Sequence, residues 1–101
     1  MPVYAVGRLD QLPQTRGRVV WAGDREIALF RQGQRVFALD NMCLHTGGPL
    51  GEGEVDDGCA VCPWHGWRYD LETGASPLNP RVRVATYPVW VEDGEVKVQV
   101  E

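Results

Sequence analysis

The chain has 101 residues, a formal net charge of −4 and only 3 Cys and 2 His. That length supports one domain with one modest core. The acidic balance argues against nucleic acid as a partner, no apolar run approaches the ~20 residues needed to cross a bilayer, and three cysteines do not make a secreted disulfide framework.

In chain order, the opening Met1-Pro2-Val3-Tyr4-Ala5-Val6-Gly7-Arg8 has no basic region followed by an apolar segment, so no secretory signal is expected. Leu9 and Leu12 read as anchors of an irregular segment. Val19-Val20-Trp21-Ala22 reads as a strand and Gly23-Asp24 as the turn after it. Glu26-Ile27-Ala28-Leu29-Phe30 and Arg35-Val36-Phe37-Ala38-Leu39 flank Gln32-Gly33-Gln34, a hairpin signal. Gly58-Cys59-Ala60-Val61 reads as a short strand, with Cys59 a small buried thiol. Arg81-Val82-Arg83-Val84 alternates and is expected to form an edge or half-exposed strand. Tyr87-Pro88-Val89-Trp90-Val91 leads through Glu92-Asp93-Gly94-Glu95 into Val96-Lys97-Val98-Gln99-Val100, the clearest hairpin in the chain. One face of that last strand should be buried and the other wet. The pattern predicts an all-β antiparallel base built from both ends of the chain. A loop region of about residues 41–71 is inserted in it, all within one domain spanning 1–101.

The inserted region holds the chemistry. Cys43-Leu44-His45 is followed, after 16 residues, by Cys62-Pro63-Trp64-His65-Gly66-Trp67. Both histidines and two of the three cysteines therefore fall in two Gly- and Pro-rich loops, one thiolate and one imidazole in each. Thiolate plus imidazole suits zinc, copper or iron. A zinc finger usually groups its sulfurs in one knuckle and its nitrogens in another. One of each per loop instead suits a [2Fe–2S] cluster with sulfur ligands on one iron and nitrogen ligands on the other. A structural Cys2His2 zinc site is the rival that the same donors allow.

These residues resemble the Rieske iron–sulfur signature. The likeness extends through Gly47-Gly48-Pro49-Leu50 and Tyr69-Asp70-Leu71-Glu72-Thr73-Gly74 and then over most of the chain, as a small Rieske ferredoxin. The resemblance implies a Rieske-type β-sandwich or barrel base with a two-loop cluster-binding subdomain. It implies one [2Fe–2S] cluster per chain, with Cys43 and Cys62 on the inner iron and His45 and His65 on the outer. In that family Tyr69 falls where a tyrosine bonds a sulfur. Trp67 stands where high-potential members carry a serine. Gly48 and Trp64 stand at their two disulfide cysteines, so that bridge cannot form. The stretch Ala75-Ser76-Pro77-Leu78-Asn79-Pro80 resembles the loop that covers the cluster. Trp64 and Trp67 are expected to shield the cluster from water.

Two thiolates cancel the charge of an oxidised [2Fe–2S] core, and neutral imidazoles add none. An electron is therefore accepted more easily than by a four-thiolate cluster, within a range of roughly −150 to +300 mV. Lacking the serine and the disulfide, this centre is expected near the low end. Protonation of the outer imidazoles should couple to the electron only at alkaline pH.

The resemblance implies a cytoplasmic one-electron carrier rather than an enzyme. It would take electrons from a flavoprotein reductase and pass them to a terminal oxidoreductase such as a ring-hydroxylating oxygenase, with no small-molecule substrate, nucleic acid or membrane as partner. Ile27-Ala28-Leu29-Phe30, Ala38-Leu39-Asp40-Asn41 and Thr86-Tyr87-Pro88-Val89 also resemble the small subunit of NAD(P)H-dependent nitrite reductase. A zinc-stabilised interaction module is the third possibility. Glu52, Glu54, Asp56 and Asp57 form an acidic stretch between the loops. It is either a solvated surface or a means of steering a basic partner.

Overall fold

The computed structural model describes residues 2–44, 47–64 and 66–100. Among these, ten strands pair antiparallel in three sheets. They are β1 (Val3–Arg8), β2 (Arg18–Ala22), β3 (Arg25–Gln32), β4 (Arg35–Asp40), β5 (Glu54–Asp56), β6 (Cys59–Val61), β7 (Arg68–Asp70), β8 (Thr86–Tyr87), β9 (Val89–Glu92) and β10 (Glu95–Gln99). The base consists of a sheet ordered β1-β10-β9 and another ordered β2-β3-β4-β8. The third sheet, β5-β6-β7, lies wholly within the inserted region. No helix of the described residues is long and apolar enough to cross a membrane.

The expected hairpins form where their turn residues dictate. The β9–β10 turn puts Asp93 at φ 52° and Gly94 at φ 79°. That is the primed-turn backbone an Asp-Gly pair favours, because its twist matches that of the flanking strands. Val96 and Val98 are fully buried while Lys97 and Gln99 are half-buried, so the last strand keeps its alternation.

Tyr87 and Val89 belong to different sheets. Pro88, with no N–H for a ladder, turns the chain from β8, on β4, to β9, on β10. Its carbonyl still accepts the Gln99 N–H at 3.0 Å. One proline thus couples the two base sheets.

One expectation needs correction. Residues 81–84 do not form a strand. Val82 N–H bonds the Asn79 carbonyl and Val84 N–H the Gly74 carbonyl, leaving one isolated bridge between Ala75 and Arg83. The alternation there reports burial without a ladder. Conversely, β1 is a strand the composition hides. Gly7, at φ 149°, makes an irregularity after Ala5 that shifts the register against β10 and breaks the period-2 pattern.

Two cores result. One lies between the base sheets and contains Leu12, Ile27, Leu29, Ala38, Val96, Val98 and Val100. Leu12 and the partly buried Leu9 anchor the segment after β1, as expected. On the other side of β3 and β4, Phe30, Phe37 and Leu39 pack with Leu50, Ala60, Tyr69, Leu71 and the two loop cysteines. Strand alternation makes this division: Ile27 and Leu29 face one way, Ala28 and Phe30 the other. The second core fixes the inserted region on the base.

Candidate metal centre

Each loop is rooted in regular secondary structure at both ends. The first leaves β4, passes Cys43 and returns at the 3₁₀ turn Leu50–Glu52. Asn41 fastens its neck. The Asn41 backbone carbonyl accepts the Leu50 N–H at 2.7 Å, and its side-chain oxygen accepts the Gly51 N–H at 2.7 Å. The side-chain amide donates to Glu26 of β3 at 3.0 Å. Asn41 is buried, and these bonds satisfy both ends of its amide. A side chain on Gly51 would collide with the Asn41 oxygen and Val19, so glycine is required there by close approach. The second loop runs from Cys62, at the end of β6, to Trp67, at the start of β7.

The two loops close in the same hydrogen-bonded frame. Cys43 N–H donates to the Gly48 carbonyl at 3.0 Å, and Gly47 N–H donates back to the Cys43 carbonyl at 2.7 Å. Cys62 N–H donates to the Trp67 carbonyl at 2.7 Å, and Gly66 N–H donates back to the Cys62 carbonyl at 3.2 Å. Gly47 at φ 74° and Gly66 at φ 72° hold the left-handed corner of each frame. Gly48 is not among the positive-φ glycines, and its requirement is different. A Cβ on Gly48 would stand 2.9–3.1 Å from three Trp64 ring atoms. Trp64 of one loop thus lies on Gly48 of the other, at the pair of positions that cysteines would occupy in a bridged relative.

Cys43 and Cys62 are buried in the same apolar cluster, and neither forms a disulfide. The Tyr69 hydroxyl is 3.3 Å from the Cys43 Sγ. Its oxygen also accepts the Leu44 N–H at 3.2 Å, and with Cys43 a thiolate the hydroxyl would be the donor to the sulfur. Tyr69 is also fully buried, so it is both a sulfur partner and a core residue. Trp67 packs partly buried against this core, and Trp64 is half exposed. The predicted ligands His45 and His65 lie outside the described residues, as does Thr46.

Among the described residues, two buried sulfurs in one apolar cluster with a tyrosine hydroxyl beside one of them fit a thiolate-bound soft metal rather than a hard cation. Cys59 stands apart in β6 as a buried thiol. Burial first, then Asp70, pushes its pKa up, against an opposing effect of Arg68. The 75–80 loop bonds to itself and its flank, through Asn79 N–H to Ser76 and Ser76 N–H to Val82, with Leu78 almost wholly exposed. Sequence reasoning missed the Asn41 clamp. An Asn directly after a strand and before a Gly-rich loop is the signal that could have found it.

Known proteins share this arrangement. Residues 2–88 match the model of the Rieske [2Fe–2S] domain. The chain is 38% identical over 100 residues to the anthranilate 1,2-dioxygenase ferredoxin subunit of Burkholderia cepacia, covering 96% of this chain and 91% of that protein. The ferredoxin of carbazole 1,9a-dioxygenase from Nocardioides aromaticivorans IC177 superposes with a TM-score of 0.91 at 29% identity, over 100% of both chains. A structure assigned as the NADH-dependent nitrite reductase small subunit of Mycobacterium tuberculosis superposes with a TM-score of 0.90 at 28% identity, over 99% of this chain and 96% of that one. By the match across most of its length, this chain belongs to the Rieske [2Fe–2S] family.

Proposed function

We propose that this protein is a cytoplasmic one-electron carrier. In it Cys43 and Cys62 hold one iron of a [2Fe–2S] cluster, and His45 and His65 hold the other. The whole chain serves this purpose as one domain, 1–101. The observation that carries the reading is the pair of buried cysteines in matching loop frames.

When bound, the cluster takes up and releases one electron at a time. The protein's own residues hold and tune it. The Gly47 and Gly66 corners keep each cysteine carbonyl bonded within its loop. Leu50, Ala60 and Leu71 exclude water from the sulfurs. Tyr69 stabilises negative charge on Cys43 by donating to it. Trp67 stands in place of a hydroxyl residue and brings no hydroxyl to the centre, which supports a potential low in the Rieske range.

The partners proposed are a flavoprotein reductase as donor and a terminal oxidoreductase of the ring-hydroxylating kind as acceptor. Support comes from the 38% identical dioxygenase ferredoxin subunit, whose length this chain nearly matches. The nitrite reductase reading shares the fold and is separated by a permanent association. A subunit would co-purify with a large sirohaem chain, whereas a carrier purifies alone.

The test is anaerobic purification with iron and acid-labile sulfide analysis. Two of each per chain, with a rhombic low-temperature signal on reduction, are expected. Cys43→Ser or Cys62→Ser should abolish the colour, and His45→Ala or His65→Ala should abolish or destabilise it. A colourless protein with stoichiometric zinc that cannot be reconstituted would overturn the reading.

A further inference from the structure

Where Pro88 carries the chain from one base sheet to the other, a cavity of about 340 Å³ opens. Its walls come from three segments: Arg25 at the start of β3, the run from Ala85 through β8 to Pro88, and Gln99 with Val100 at the end of β10. Backbone bonds fix these walls. The Ala85 carbonyl accepts the Asp40 N–H at 2.9 Å, the Pro88 carbonyl accepts the Gln99 N–H, and Val100 N–H donates to the Pro2 carbonyl at 3.0 Å. The cavity is therefore preformed, as small-molecule sites usually are, and its volume falls at the lower end of their range.

Among the described residues, Arg25 is the only charged side chain in this lining, and Ala85, Pro88 and Val100 supply apolar surface. The Arg25 Nη1 donates to the Tyr87 hydroxyl at 3.1 Å, and the guanidinium carbon lies 5.6 Å from the Tyr87 ring centroid. These two contacts hold the guanidinium in place. It makes no ion pair with a described residue, whereas Arg8, Arg35 and Arg68 meet Asp10, Glu72 and Asp56. With Nη1 on the tyrosine, the Nε and Nη2 edge is the fork that grips a carboxylate through two parallel bonds. The Tyr87 oxygen accepts from Arg25, so its own proton is a further donor beside that fork. Asp24, Glu26 and Asp40 share an adjoining groove with Arg25. Their field penalises a second negative charge on anything bound there.

We propose that this cavity binds a monocarboxylate with a compact apolar body, a single aromatic ring or a short alkyl chain. The carboxylate takes the Arg25 fork and the Tyr87 hydroxyl, and the body rests on Ala85, Pro88 and Val100. The site lies in the base and goes beyond the electron-carrier reading without depending on it.

The test is an amide NMR titration of the oxidised holoprotein with benzoate and with hexanoate. Saturable shifts of the Ala85, Thr86, Tyr87 and Val100 amides are expected, with a dissociation constant of about 1 mM. Saturation by either acid supports the site, and the tighter of the two tells whether ring or chain is the preferred body. Benzamide lacks the charge, acetate lacks the body, and adipate adds a second charge to the six carbons of hexanoate. Each should bind about tenfold more weakly. Arg25→Gln should weaken benzoate about tenfold and Tyr87→Phe about threefold. Arg16→Gln, which removes the same charge at a different groove, should leave it unchanged. Benzamide binding as well as benzoate, undiminished binding in Arg25→Gln, or no saturable shift by either acid up to about 20 mM overturns the site. The benzamide comparison uses wild type alone, so it decides even where a variant folds poorly. A protein that takes up an electron yet binds neither acid overturns this site and leaves the carrier reading standing.

Discussion

The Tyr69 hydroxyl joins the two loops: it sits on β7, beyond the second, and meets Cys43 Sγ and Leu44 N–H in the first. A donor to a ligand sulfur stabilises the reduced state. If that bond is about 1 kcal/mol stronger after reduction, Tyr69→Phe lowers the potential by about 40 mV. A redox titration followed by circular dichroism measures this. An unchanged potential would remove the hydroxyl from the tuning of the centre.

Gly48 and Trp64 make the second tie between the loops. Gly48→Ala places a methyl group against the indole and forces it to move, at a cost of about 1–3 kcal/mol. Trp64→Ala makes room for that methyl group. The two substitutions should therefore be non-additive, with the double variant losing its colour more slowly on heating than Gly48→Ala alone. Strict additivity would show that the ring is not fixed on the glycine.

Asn41→Ala leaves the buried Gly51 N–H without its acceptor. The expected loss is about 1–3 kcal/mol, and each kcal/mol lowers the midpoint by about 4–8 °C in a domain of this size. Calorimetry of the variant, alongside Asn41→Asp, separates the roles. The carboxylate restores the acceptor for Gly51 but not the donor to Glu26.

Cys59 predicts a pH effect with a definite sign. Its folded pKa is raised, chiefly by burial. The native state therefore holds the thiol proton more tightly than the unfolded chain does. That contribution to stability is complete below the ordinary thiol pKa and is lost as pH rises through the raised one. Urea midpoints should fall more steeply above about pH 9 in wild type than in Cys59→Ala. Parallel slopes would refute the assignment.

The strands were legible where turn chemistry and alternation agreed, as at Gly33 and Asp93-Gly94. They were obscured where one residue broke the period, as Gly7 does in β1. The two cysteines were legible because both loops repeat one residue grammar. Asn41 was not, since its work is done by a side-chain amide reaching ten residues ahead to a backbone N–H. Nor was the status of Asp56. Charge can be read along a chain, whereas neutralisation by Arg68 depends on the pairing of β6 with β7 and of β5 with β6.

The division of the interior into two cores has a consequence for how the molecule comes apart. Among the described residues, the interior closed between the base sheets contains no sulfur, while the other has Cys43 and Cys62 in its wall. Stripping the cofactor is therefore expected to loosen the latter first. The scaffold of β1, β9 and β10 against β3 and β4 can then persist as a seeded platform, onto which the three-residue strands refold when iron and sulfide return.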